Sequence, residues 1–170
     1  VWGGDLLSRI YIPRSTFAIS AIVTGLVNLL LSLVPLIGVM LVIGTPIRVT
    51  ILLAPVSMLP LAMFSLGIGL LISTIGIFFA DIVEMYAIVL TAWMYLTPII
   101  YPLDMLPEGV QGWLQFNPMV HIVGLFRNVV FYGRVPPALD WAITFGIGLG
   151  VLVLGWLIFA GKSDEFAYRT

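Results

Sequence analysis

Residues 15–47 carry no charged side chain, and after the single Arg48 residues 49–80 carry none either. Each run exceeds the roughly 20 residues that an α-helix needs to cross the hydrocarbon core of a bilayer. Neither is long enough for two crossings and a turn. Such runs demand an environment that excludes water, and the composition agrees. The chain is 61% hydrophobic and only 9% charged, against about 45–50% and about 25% in a soluble domain. Seven Lys+Arg and eight Asp+Glu cannot solvate a globular surface, which excludes a soluble enzyme, a disordered tail and a coiled coil. A net charge of −1 offers no basic footprint for nucleic acid. With no cysteine there is no disulfide framework, thiol nucleophile or Cys-based metal site. The expected fold is an all-α polytopic transmembrane bundle.

The remaining charges delimit the helices. We expect spans at about 15–43, 50–79, 85–100 and 140–161, forming one transmembrane domain over residues 1–170. The first two are joined by a tight turn at Gly44-Thr45-Pro46, with Pro35, Pro55 and Pro60 kinking or delaying helices. Asp81 and Glu84 mark a polar turn, Thr97-Pro98 ends the third span, and Lys162 closes the fourth. The region 98–137 holds six of the eleven prolines together with Asp104, Glu108, His121, Arg127 and Arg134. A full crossing there would strand backbone and charged groups in hydrocarbon. Two short re-entrant helices within about 102–133 fit better. Asn117-Pro118 reads as an N-cap with proline at the first helical position, and Gly133 as the terminator. Met119, Ile122, Phe126 and Val129 share one face of that helix; His121, Gly124, Arg127 and Asn128 share the other.

Four spans put both ends on one side. Arg9, Arg14, Lys162 and Arg169 lie there, against Arg48, Arg127 and Arg134 opposite, a small positive-inside bias toward cytoplasmic ends. The opening at Val1 shows no basic n-region before an apolar core, so no signal peptide is expected; a piece of a longer protein is.

The motifs point away from chemistry on this chain. Gly155 and Gly161-Lys162-Ser163 imitate a P-loop, but five residues separate the glycines where the motif needs four, and the segment ends a membrane helix. Neither a nucleotide site nor a metal site around the lone His121 is expected. Ser20, Thr24, Asn28 and Ser32 recur every four residues and form one broad polar stripe. The stripe serves either interhelical hydrogen bonding or a hydrated path. Gly146 with Gly150, and Ser65, Gly69 and Ser73, read as close helix-packing faces. Tyr86 and Trp93 lie seven apart on one helix face, too deep for both to join the interfacial belt of one leaflet, and their flat faces suit the C–H faces of sugars. Arg127, in a mostly apolar helix, needs a headgroup, by snorkelling, or an anionic ligand.

One run is more specific. Leu96-Thr97-Pro98-Ile99-Ile100-Tyr101-Pro102-Leu103-Asp104-Met105-Leu106-Pro107 is followed by Phe116-Asn117-Pro118-Met119-Val120 and Leu125-Phe126-Arg127. Together with Ile10-Tyr11-Ile12-Pro13-Arg14 and Gly76-Ile77-Phe78-Phe79-Ala80-Asp81-Ile82, it resembles the ABC-2 type permeases that export O-antigen polysaccharides, capsular glycans and teichoic acids. The resemblance covers nearly the whole chain. It implies six spans per subunit, of which this chain would hold the last four, about the C-terminal two-thirds. It further implies a multi-pass subunit of the bacterial cytoplasmic membrane with cytoplasmic ends, pairing with a second permease copy as a homodimer. It implies docking on an ABC ATPase subunit, so that ATP and Mg belong to that partner and no cofactor to this chain. The cargo would be a lipid-linked glycan, a lipopolysaccharide precursor or teichoic-acid-like polymer.

By the same resemblance Asp5, Arg9, Tyr11 and Arg14 belong to the segment coupling to the ATPase. Tyr86 and Trp93 join Ser20, Thr24 and Asn28 as channel-lining candidates. Met119, His121 and Arg127 fall in the periplasmic gate. An alternative within transport is an exporter of a drug or small lipid, which should show a lateral apolar cleft where a polymer channel shows aromatic or polar lining. A remote alternative is a membrane-embedded glycosyl- or acyltransferase, for which only Asp104, Glu108 and His121 stand near one interface.

Overall fold

The computed structural model describes residues 14–79, 81–99, 101 and 105–166. Its elements are α1 (Arg14–Ile43), a 3-10 turn (Val49–Leu53), α2 (Ala54–Phe78), α3 (Asp81–Leu96), α4 (Glu108–Leu114), α5 (Pro118–Val130) and α6 (Ala138–Phe166). The fold is an all-α transmembrane bundle. Among the described residues three helices are long and apolar enough to cross a membrane, over Ile22–Ile43, Val49–Gly76 and Ala138–Lys162.

Local chemistry sets the ends. α1 closes at Gly44, whose φ of 77° suits glycine. Gly44 N–H donates to the Leu41 carbonyl and Thr45 N–H to that of Met40, the paired bonds of a Schellman ending. Pro55 delays the second helix as expected: the chain enters through the 3-10 turn, and proline sits in the first turn of α2, where its missing N–H costs nothing. Pro35 and Pro60 lie inside α1 and α2. Asp81 and Glu84 do not form a separate polar turn. Phe79 is extended, and both acids fall in the first turn of α3, where carboxylates complement the helix dipole.

The expected third span begins four residues earlier, at Asp81, and ends at Thr97-Pro98 as expected. α3 has 16 residues, about 24 Å at 1.5 Å per residue, short of a hydrocarbon core of about 30 Å. In exchange, two short helices, α4 and α5, follow where two were expected.

α2 is the centre. A third of its apolar stretch is buried by the rest of the protein, against 6% for α1; in a bilayer the outward apolar surface meets lipid. Leu33 of α1 packs near Ala54 at the start of α2, and Ile22 near Ser65 further along, so the two helices are antiparallel. α6 runs parallel to α2, with Gly148 against Pro60 and Gly155 against Gly67. The start of α1 and the end of α6 therefore share a side.

This α2–α6 seam corrects one expectation. Gly146, Gly150 and Gly69 have open space where a Cβ would point, while Gly67, Gly148 and Gly155 meet facing backbone. Ser65 lines a cleft instead, and Ser73 turns back to the Leu70 carbonyl. The spacing motif marked small residues on the helices that do meet, but on the neighbouring faces. The buried seam continues through Ser57, Thr74 and Thr144, each satisfied by a carbonyl of its own helix.

Candidate functional site

Between α1, α2, α3 and the start of α5 lies a cleft of about 360 Å³. It brings together Tyr86, Trp93 and Met119, which the sequence assigned to two different groups. The remaining wall is almost wholly apolar, with Ile22 from α1, Leu61, Phe64 and Ile68 from α2, and Leu90 and Met94 from α3. A second cleft of about 250 Å³ follows the α1–α2 seam and shares Ile22, Leu61 and Ser65 with the first.

The polar groups at the cleft's rim are occupied by one another. Asn117 caps α5: its Oδ1 accepts from the Met119 N–H at 3.0 Å, as the Asn-Pro pair predicted. The same oxygen accepts from the Trp93 indole N–H at 2.9 Å. Its Nδ2 donates to the Thr97 hydroxyl at 3.1 Å, and that hydroxyl donates to the Trp93 carbonyl at 2.9 Å. Thr97 is buried, and the Trp93 ring stands edge-on to Phe64 with centroids 6.0 Å apart. A tryptophan buried beside aliphatics needs a partner for its N–H, and Asn117 supplies it. In the sequence Asn117 reads as a helix cap and Thr97-Pro98 as the end of the third span; the bridge between them is visible only in the fold.

Arg127 is half-buried. Its Nη2 donates to the carbonyls of Pro98 and Ile99, both at 3.0 Å, just beyond the end of α3. A cation is stabilised there by unsatisfied carbonyls and the helix dipole. Arg48 does the same work for α5, donating to the Tyr132 and Gly133 carbonyls at 3.3 and 3.4 Å. Gly133 has a φ of 59° and lies against the Arg48 side chain, so the expected terminator is also a contact surface. His121 Nε2 pairs with the Gln115 carbonyl at 2.8 Å and ties α5 back to the end of α4. Of the three gate candidates, then, Met119 faces the cleft while His121 and Arg127 hold backbone.

Ser20, Thr24 and Asn28 are exposed and do not line the cleft; Ile22 of the same helix does. Thr24 donates to the Ser20 carbonyl and Ser32 to that of Leu29, both within α1. The stripe thus faces away from this chain's own bundle. Asp5, Arg9 and Tyr11 lie outside the described residues, as does the side chain of Arg14.

Comparison with known proteins gives a consistent picture. Residues 5–131 match the ABC-2 type transporter family. The chain is 27% identical over 165 residues to the O-antigen export system permease protein RfbA of Myxococcus xanthus, covering 96% of this chain and 64% of that protein. It is 23% identical over 164 residues to the RfbA protein of Klebsiella pneumoniae, covering 96% and 63%. The polysialic acid transport protein KpsM of Escherichia coli is 26% identical over 104 residues, 61% of this chain and 40% of that protein. The chain thus spans a little under two-thirds of the length of the O-antigen relatives it matches.

Proposed function

This chain belongs to the ABC-2 type transporter family, and on that premise we propose that it is membrane-spanning structure of a permease subunit that exports a lipid-linked polysaccharide or teichoic-acid-like polymer. The relatives' names support this reading, two being O-antigen export permeases and one a polysialic acid transport protein. The subunit works in the bacterial cytoplasmic membrane with the start of α1 and the end of α6 in the cytoplasm. A second permease copy and an ABC ATPase complete the machine, and ATP and Mg are bound by that ATPase. No covalent chemistry falls to this chain: its task is to present a wall and to move it. α3, too short to cross unaided, reaches the far face with the α4–α5 hairpin.

The observation that carries the proposal is the convergence of Tyr86, Trp93 and Met119 on one cleft. The test is flux of a lipid-linked glycan in vesicles holding permease and ATPase. Tyr86→Ala and Trp93→Ala should each lower it at least tenfold; unaltered export by both would remove the cleft from the transport path.

One feature favours the second transport reading. The cleft wall is mostly Leu, Ile, Met and Phe, and the Trp93 N–H and Thr97 hydroxyl are already engaged. A sugar placed there would find few partners, whereas an amphiphile's chain would find an apolar wall. ATPase stimulation separates the two: the lipid-linked glycan should stimulate and simple amphiphiles should not, and the reverse would make this a small-lipid or drug exporter.

A further inference from the structure

α5 is fastened to α3 at two places. At its first turn Asn117 bridges the Trp93 indole and the Thr97 hydroxyl; more than two turns later Arg127 grips the carbonyls of Pro98 and Ile99. In low-dielectric surroundings such bonds are strong and costly to leave unmade. α5 itself is anchored to the frame: Val120, Ile122, Leu125, Val129 and Val130 are buried, and Val129 and Val130 cluster with Ala54 of α2 and with Trp141 of α6. The end of α3 is therefore tied to α2 and α6 through α5, while Met85, Ile88 and Val89 of its early turns stay exposed.

We propose that Asn117 is a positioning residue that clamps the end of α3 to α5, so that Trp93 and Met119 keep one arrangement in the cleft wall. The inference rests on the transport reading only for what that arrangement accomplishes. Asn117 suits the role because its amide does two tasks at once. The oxygen caps α5 and receives the indole N–H, while the nitrogen donates to Thr97. A serine caps a helix about as well as asparagine but is too short to bridge Trp93 and Thr97. Asn117→Ser therefore separates capping from coupling.

Ile88→Cys with Trp113→Cys, both at exposed positions in a stretch without cysteine, gives a spin-label pair reporting α3 against α4 once any cysteine elsewhere in the intact protein is replaced and labelled copies are diluted with unlabelled ones. In the intact protein in nanodiscs the pair should show one narrow distance. Adding Asn117→Ser should at least double the width of that distribution. Without labels, Asn117→Ser should cut export at least tenfold at unchanged membrane abundance. Should Asn117→Ser fail to accumulate, Trp93→Phe carries the test, because it keeps an aromatic ring for Phe64 and removes the indole N–H together with part of the ring; the same broadening is expected. A distance that stays narrow in the variant that accumulates would overturn the proposal. Loss of glycan export from the unmodified protein would instead defeat the transport reading, and the distance would still report the clamp.

Discussion

The α2–α6 seam and the α1–α2–α3 cleft lie on neighbouring faces of one helix, yet they are built on opposite rules. On the seam, glycines let backbone meet backbone: a Cβ on Gly67 would sit 2.5 Å from the Val151 carbonyl oxygen, and one on Gly148 2.8 Å from that of Pro60. On the cleft side the same helix presents Leu61, Phe64 and Ile68 to empty space. Between membrane helices there is no hydrophobic drive to associate, so intimacy of packing decides what stays together. The seam is a frame. The cleft is where parts of this protein have room to move.

The largest expected effect breaks the frame. Gly67→Leu drives a side chain into the backbone of α6, which cannot yield as a flexible side chain would. A loss of about 3 kcal/mol or more is expected in equilibrium unfolding from detergent micelles. Gly69→Ala, two residues away with open space at its Cβ, should leave stability within about 1 kcal/mol of wild type, on the stabilising side. Equal effects from the two would mean that the helices meet through another face.

That pair of glycines also shows what a sequence withholds. The charge gaps placed α1, α2 and α6 within a few residues because desolvation of a charge is expensive wherever the helix packs. Asn117-Pro118 marked the start of α5 because capping is local, and Gly133 marked its end for the same reason. A small-residue repeat, by contrast, says only that some face permits close approach, and Gly146 and Gly150 satisfied the pattern as well as Gly148 and Gly155 did. The partners of Arg127 and Trp93 were illegible for another reason. They are backbone carbonyls 28 and 29 residues away and a capping side chain 24 residues away, and no spacing rule pairs an arginine with carbonyls that a proline leaves free.

A middling effect is expected where α5 holds the end of α3. Arg127→Gln removes the charge-assisted bonds to Pro98 and Ile99 while keeping much of the side chain's length. Hydrogen bonds from charged groups contribute about 1.5–3 kcal/mol each, and some are replaced by the amide, so a loss of about 2 kcal/mol is expected in the same unfolding assay. Arg127→Lys should recover only part of it, since one ammonium cannot reproduce the guanidinium's planar spread of donors. Full recovery by lysine would mean that charge alone, rather than a fixed grip on α3, is what the position requires.

The smallest effect on stability is expected on α1, at the polar stripe. Asn28 is exposed, and the stripe's recorded hydrogen bonds stay within α1. Asn28→Leu should therefore change unfolding by no more than about 0.5 kcal/mol, as for a surface position. What it does to export discriminates more. An asparagine facing lipid would be a pure cost, and leucine would then stabilise the protein and leave transport alone. An asparagine bonded to another helix of this bundle would make leucine destabilising. Unchanged stability with lowered glycan flux is the outcome expected of a residue on a hydrated path outside this chain's own bundle. It would place the outer face of α1 on the polar cargo's path alongside the cleft.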